Sequence, residues 1–166
     1  MPRRPFVPLI HVLAALALAA ILAAPARAMP IGSEGWTVLQ GEAGASVDFP
    51  SALFPVQAGP TERGRGQKFK SADGKSEFAV YSLANNEKDS PAAYLKKNLL
   101  VSPQSMVYRR VGPDFFAMSS VREGRIFYSR CNFAAGIHCI YIEYPQDAKR
   151  AFDAVVTRVS TSLKPR

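Results

Sequence analysis

Three side chains capable of site chemistry lie close together late in the chain: Cys131, His138 and Cys139. They comprise both cysteines of the sequence and its only histidine apart from His11. Cysteine and histidine are typical zinc ligands and also form nucleophile–base pairs. In an oxidising compartment, two cysteines can instead form a structural disulfide. The choice among these chemistries depends on the elements that carry the three residues.

The sequence around the cysteines predicts a β-hairpin. Two apolar-rich runs, at residues 125–133 and 137–144, are separated by Ala134-Ala135-Gly136. A three-residue hairpin loop often ends in a glycine in the left-handed conformation. In that register Cys131 faces Cys139 with Cα atoms about 4.5 to 5.5 Å apart, which is within disulfide range. We therefore expect a Cys131–Cys139 disulfide that stabilises the fold by about 2.5 kcal/mol.

The same alternation separates His138 from the cysteines. Successive side chains on a strand point to opposite faces, so His138 is expected opposite Asn132 and not beside Cys139. A structural zinc site needs four ligands, and a serine hydrolase of the common type needs a G-x-S-x-G turn that this sequence lacks. The sequence thus predicts no metal, no cofactor and no catalytic residue.

One catalytic alternative stays open. Glycoside hydrolysis needs only a pair of carboxylates at a suitable separation. Four acidic residues outside the predicted helices could meet in space, although nothing in the sequence selects a pair among them: Asp48, Glu77, Asp114 and Glu143.

The first 28 residues are typical of a secretory signal peptide. A basic start is followed by an Ala/Leu-rich stretch at about residues 12–24 and a small-x-small ending, Ala26-Arg27-Ala28. Pro8 and His11 shorten the apolar run, which disfavours a stable membrane anchor. We therefore divide the chain into a signal peptide, residues 1–28, and a single domain, residues 29–166.

These features predict a periplasmic or secreted protein. The stretch Arg3-Arg4-Pro5-Phe6-Val7 resembles a twin-arginine export signal, but Pro2 and the short lead favour the general secretory route. Removal of Arg3, Arg4 and Arg27, with no acidic residue, lowers the formal charge from +8 to +5. A mildly basic exported protein without an aromatic–basic RNA-binding motif is not expected to bind nucleic acid.

One basic cluster is a candidate contact surface. The Gly- and Pro-rich stretch 54–66 is typical of a loop, and four cations lie in or just after it: Arg63, Arg65, Lys68 and Lys70. We interpret these residues as a candidate binding site for an anion or an acidic partner.

The remaining pattern predicts an α+β domain with an antiparallel sheet of about six strands flanked by helices. Asp73-Gly74 is a strong hairpin signal, and Ser90-Pro91 is typical of a helix start. Strands are predicted at residues 36–39, 45–49, 67–70, 76–83, 106–111, 115–121, 125–133 and 137–144, and helices at residues 90–100 and 146–163.

Two helices are expected to pack on the sheet. In the first, Ala92, Leu95 and Leu99 share a face. The long C-terminal helix carries a continuous apolar stripe at helical spacing: Ala148, Phe152, Val155, Val159 and Leu163.

The later strands alternate aromatic and arginine residues. If one face of the sheet lacks a helix, this alternation exposes an aromatic–arginine surface suited to binding. The aromatic residues are Tyr108, Phe115, Phe116, Phe127, Tyr128, Phe133, Tyr141 and Tyr144, and the arginines are Arg109, Arg110, Arg122, Arg125 and Arg130.

The order of elements resembles the PsbP-like proteins. The resemblance rests on Val47-Asp48-Phe49-Pro50, the turn at Asp73-Gly74, the strand 78–83, the helix led by Pro91 and the final Ser162-Leu163-Lys164-Pro165. It implies an α/β/α sandwich around an antiparallel sheet. Members of that family include an extrinsic photosystem subunit, a partner of a small GTPase and exported bacterial proteins, and they mostly bind other proteins. The resemblance transfers no catalytic residue.

We therefore expect an exported, non-catalytic accessory protein that binds another cell-envelope protein. A small-molecule or anion binder using the basic cluster, and an exported carboxylate-dependent hydrolase, are the alternatives. The sequence contains no indication of oligomeric state.

Overall fold

The computed structural model describes residues 35–41, 44–98, 102 and 104–165. The predicted signal peptide lies outside these ranges. Among the described residues, no helix is both long and apolar enough to cross a membrane.

The described chain alternates short strands with two α-helices. The first half contains β1 (Thr37–Gln40), β2 (Ala45–Phe49), β3 (Val56–Pro60), β4 (Arg65–Lys70), β5 (Glu77–Leu83) and α1 (Pro91–Asn98). The second half contains β6 (Met106–Val111), β7 (Phe115–Arg122), β8 (Arg125–Phe133), β9 (Ile137–Pro145), a 3₁₀ turn (Gln146–Ala148), α2 (Lys149–Ser162) and β10 (Lys164–Pro165).

The strands form two antiparallel sheets. The main sheet has seven strands in the order β3-β4-β5-β9-β8-β7-β6, and a small sheet has the order β1-β2-β10. The predicted α+β class with an antiparallel sheet is confirmed. One main-sheet strand was missed, because β3 lies inside the predicted loop 54–66. Gly59 and Pro60 gave that stretch its loop character, but proline is compatible with a sheet edge, where β3 lies.

The larger core cluster lies on one face of the main sheet. The C-terminal helix α2 and the small sheet pack together against this face and enclose the cluster. The predicted stripe of α2 is largely confirmed, since Phe152, Val155, Val159 and Leu163 are buried. The helix is shorter than predicted, because its first turn, from Gln146 to Ala148, is 3₁₀. Tyr144 stacks flat on Phe152 with ring centroids 4.3 Å apart, which joins β9 to the helix.

The other face is partly covered by α1. Ser90 caps this helix, since its side-chain Oγ accepts a hydrogen bond from the Ala93 amide at 3.3 Å. The predicted helix is confirmed over Pro91–Asn98, and its predicted buried face is right for Leu95 but wrong for Ala92. Tyr94 and Leu95 are buried, while Ala92 is exposed. Leu99 lies outside the described residues.

Candidate binding site

The hairpin that carries Cys131 and Cys139 has the predicted register. Cys131 is directly opposite Cys139, with a Cα–Cα distance of 4.1 Å, and the two form a disulfide. The bond is fully buried in the core cluster under α1. Gly136 does not adopt the left-handed conformation expected of it. A side chain at this position would instead crowd the Leu83 carbonyl, at 2.9 Å from its Cβ.

His138 lies on the opposite face from the disulfide, opposite Asn132 as expected. Its ring is buried, and Nδ1 lies 2.8 Å from the Ser82 Oγ on the neighbouring strand β5. Burial lowers the pKa of His138. Among the described residues, no three side chains of metal-ligating type come together, at this position or elsewhere.

Among the described residues, α1 covers only part of the sheet face on which it packs. The described part of α1 has eight residues and therefore spans about 12 Å, whereas β8 and β9 each have nine residues and span about 30 Å. The helix covers the end of the sheet near the disulfide. The other end of this face forms a cleft of about 730 Å³.

Small side chains make the floor of the cleft concave. Ala79 of β5 and Ser129 of β8 lie on either side of Tyr141, and Ser120 of β7 lies next to Phe127. These short side chains leave a depression in the floor of the cleft, which the neighbouring aromatic rings do not fill. The cleft combines aromatic walls with many hydroxyl, amide and charged groups, and a concavity with convergent polar groups is a candidate binding site.

The rim of the cleft next to β4 is basic. Arg63 donates through Nη1 to the Asn98 carbonyl at 3.2 Å, and it has no ion-pair partner among the described residues. Lys68 pairs with Glu62, whose side chain is 79% exposed while that of Lys68 is only 18% exposed. This ion pair raises the pKa of Lys68, chiefly through the hydrogen bond that Lys68 donates to Glu62. Glu62 is thus the exposed partner of this ion pair, and its carboxylate faces solvent at the rim.

The far rim carries a second cation over an aromatic ring. The Arg122 guanidinium carbon lies 4.9 Å from the centroid of the Phe127 ring. Arg122 has no carboxylate partner within the described part of the chain. A cation held by an aromatic face keeps its charge available to a ligand.

A hydrogen-bonded group lies between the two rims. Arg125 donates to one oxygen of Glu143, and the Tyr141 hydroxyl donates to the other at 2.7 Å. Burial, and then the bond to Glu143, raise the pKa of Tyr141. Tyr141 is therefore a neutral donor at physiological pH.

The structure brings two of the four candidate carboxylates together. Glu77 and Glu143 are directly opposite on β5 and β9 and share the cleft face. Asp48 pairs with Arg158 at 2.8 Å, and Asp114 lies in the turn between β6 and β7. Both oxygens of Glu143 already accept hydrogen bonds. Glu143 is therefore not free to act as the second carboxylate of a catalytic pair with Glu77.

The predicted basic cluster is divided between two faces. Residues 65–70 form a strand, so successive side chains alternate. Arg63 and Lys68 line the cleft, whereas Arg65 lines a smaller cavity beside Ser82 and His138. Lys70 lies at the end of β4 opposite Glu77, outside the cleft.

Several cleft residues were not predicted individually. Arg122, Phe127 and Tyr141 belong to the aromatic–arginine alternation, which did indicate a surface of this kind if one face lacked a helix. The Ser82–His138 contact joins residues 56 positions apart, and no local pattern indicates it.

Comparison with known proteins identifies the fold but no sequence family. No family model and no curated protein matches the chain. The solution structure of cyanobacterial PsbP (CyanoP) from Synechocystis sp. PCC 6803 is similar with a TM-score of 0.60 and 7% sequence identity. The match covers 82% of this chain and 95% of that chain. The chain therefore has a PsbP-like fold, as the order of its elements indicated.

Proposed function

We propose that the protein is an exported, non-catalytic accessory protein that binds another protein of the cell envelope. The signal-like N-terminus supports export, and the general secretory route is the one its residues favour. The disulfide agrees with this location, because such bonds persist in oxidising compartments. The PsbP-like fold is compatible with an accessory role.

The observation that carries the proposal is the part of the main sheet that the described residues of α1 leave uncovered. A face that α1 leaves open, with Phe127 and Tyr141 in its floor and cations on both rims, matches the composition of protein-binding surfaces. The positive charge of the two rims of the cleft favours a partner with acidic residues. Arg63 and Arg122 lack ion pairs with the described residues, so the partner segment brings at least one carboxylate together with an apolar anchor.

A small amphipathic anion is the second candidate ligand. The cleft volume of about 730 Å³ lies within the usual range for small-molecule sites. In this case Arg63 and Lys68 take the anionic group, as in the predicted basic site, and Arg65 and Lys70 take no part. A carboxylate-dependent hydrolase is less well supported, because Arg125 and Tyr141 occupy both oxygens of Glu143.

Site-specific crosslinking tests the proposal. A photoreactive residue replaces Glu62 at the cleft rim in the tagged full-length protein, and irradiated cells are analysed by affinity purification and mass spectrometry. The matched control carries the same residue at Thr157, which is exposed on α2. We expect one reproducible envelope protein crosslinked from position 62 and not from position 157.

Charge reversal provides a second measurement. Arg122→Glu is expected to reduce the crosslink yield about tenfold, since one charged contact contributes roughly 1.5 kcal/mol. Arg150→Glu makes the same charge change at an exposed position on α2 and should leave the yield unchanged. Equal yields from positions 62 and 157, or equal loss in both charge variants, would refute the cleft as the site. Native mass spectrometry of the purified protein then tests for a retained small anion.

A further inference from the structure

A second cavity, of about 490 Å³, lies at the end of the sheet that carries the β8–β9 turn. It is on the face covered by α2 and is therefore separate from the cleft. Three polar residues form a row across neighbouring strands here: Arg65 on β4 is opposite Ser82 on β5, and Ser82 is opposite His138 on β9. All three line the cavity.

His138 has an unused hydrogen-bonding atom. The residue is only 4% exposed, and its Nε2 has no hydrogen-bond partner among the described residues. Gly136 also lines the cavity, and a Cβ built on it would lie 3.8 Å from Nε2, which places this atom beside the cavity wall. A buried polar atom without a partner is costly, so its position indicates a missing ligand.

The Ser82 contact determines what Nε2 offers. If the Ser82 hydroxyl donates to Nδ1 across their 2.8 Å separation, the single proton of the neutral ring lies on Nε2. Burial lowers the pKa of His138, which keeps the ring neutral at physiological pH. Nε2 is then a hydrogen-bond donor beside the cavity wall.

Arg65 supplies a second unused donor. It makes no ion pair or hydrogen bond with the described residues, and its guanidinium offers a planar pair of N–H groups suited to an oxyanion. Gly64 leaves the part of the cavity beside Ser82 free of side-chain atoms. A Cβ at this position would collide with the Ser82 carbonyl. The cation also disfavours a metal ion beside it.

We propose that this cavity binds a small oxyanion, a carboxylate or a phosphate, through the His138 Nε2–H and the Arg65 guanidinium. The Ser82 hydroxyl orients the histidine ring and does not itself contact the ligand. The site is independent of the cleft, so either can fail without the other.

Nitrogen NMR of the histidine ring tests the proposal directly. The ¹⁵N-labelled protein is examined at neutral pH, with His138→Gln used to assign the ring signals. We expect the Nε2–H tautomer and a saturable shift of Nε2 when inorganic phosphate or acetate is added. Saturation by phosphate alone identifies a phosphate site, and saturation by acetate alone a carboxylate site.

Two variants make the result decisive. Arg65→Gln should weaken binding of the effective anion about tenfold or more, because it removes one charged hydrogen-bond partner. Arg150→Gln, which removes an exposed charge on α2, should leave the affinity unchanged. The Nδ1–H tautomer, the lack of a saturable shift with both anions, or equal weakening by the two variants would overturn the proposal.

Discussion

The disulfide between Cys131 and Cys139 closes a short ring, since the two residues are eight positions apart. A crosslink of this size restricts the unfolded chain and contributes about 2.5 kcal/mol by the loop-entropy relation. We expect the double variant Cys131→Ser, Cys139→Ser to fold but to lose up to this free energy of unfolding. Urea denaturation of the two proteins measures the difference.

A reductant provides the control for that experiment. It should lower the midpoint of the parent protein and leave the double serine variant unaffected. Full thiol labelling of the native, unreduced parent protein would contradict the disulfide.

His138 makes stability depend on pH. Burial lowers its pKa in the folded state, whereas in the unfolded chain the pKa is about 6.5. Below that value the unfolded chain binds the proton more readily, so the free energy of unfolding falls as the pH falls from about 6.5 through the folded pKa. Above about pH 7 this contribution is complete.

The matched variant for this effect is His138→Gln, which keeps a polar side chain next to Ser82. We expect the parent protein to lose more stability than this variant between pH 7.5 and pH 5, as measured by urea denaturation. Parallel losses in both proteins would show that His138 does not titrate differently on folding.

At the residue scale, sequence could predict contacts that local geometry determines. The turn length and strand alternation placed Cys131 opposite Cys139 and His138 on the other face. The contact of His138 with Ser82 requires β5 to pair with β9, and nothing near either residue in the sequence specifies that pairing.

Among the elements, α2 holds the covered face in place. Phe152 is 8% exposed, stacks on Tyr144 and meets the Phe54 ring edge-on at a centroid distance of 6.3 Å. We expect Phe152→Ala to cost about 3 to 5 kcal/mol of stability, because it removes a large buried ring and leaves a cavity. Arg150→Ala, on the exposed side of the same helix, should change the free energy of unfolding by less than about 0.5 kcal/mol.

Chemical denaturation with circular dichroism detection measures both variants. A Phe152→Ala variant as stable as the Arg150→Ala variant would mean that α2 does not pack against the sheet as described.

At the element scale, the basic cluster shows where sequence patterns were insufficient. Four cations within eight residues, from Arg63 to Lys70, suggested one surface. Because β4 begins at Arg65, alternation sends Arg65 to the α2 side while Lys68 stays on the cleft side. The Gly and Pro residues of the stretch 54–66 predicted a loop, so the sequence did not indicate where β4 begins. The strand β3 was missed for the same reason.

At the scale of the whole molecule, we expect the exported protein to lack its signal peptide. If the signal-peptide prediction holds, protein recovered from the periplasm or medium begins at Met29 and has an intact disulfide. Intact-mass spectrometry with and without reductant measures both properties, since reduction of the disulfide by the added reductant adds two hydrogen atoms to the protein. Replacing Arg3 and Arg4 with lysine should leave export largely intact by the general secretory route. Complete loss of export would indicate the twin-arginine route instead.

The layered architecture followed from the order of the elements, but the open part of the sheet did not. Its existence depends on how far α1 extends along β8 and β9, and that distance is a tertiary property. The aromatic–arginine alternation was compatible with either a covered or an open face. Only the position of the helix makes Phe127 and Tyr141 part of a cleft.

This difference between the two faces can be tested on a single strand. Ser120 and Ala117 are both almost completely buried on β7, but Ser120 faces the cleft and Ala117 faces the closed core. We expect Ser120→Phe to fold with little loss of stability, because its ring enters open space, and to abolish the partner crosslink formed from position 62. Ala117→Phe should cost about 1 to 3 kcal/mol, because the closed core has no room for the ring.

Urea denaturation and crosslink yield, measured on both variants, separate packing from binding. If Ser120→Phe destabilised the fold as much as Ala117→Phe, the cleft would have to be closed in solution. If Ser120→Phe were stable and still crosslinked fully, the partner would bind elsewhere. Only a stable variant that no longer crosslinks agrees with a sheet whose uncovered part is kept open for another protein.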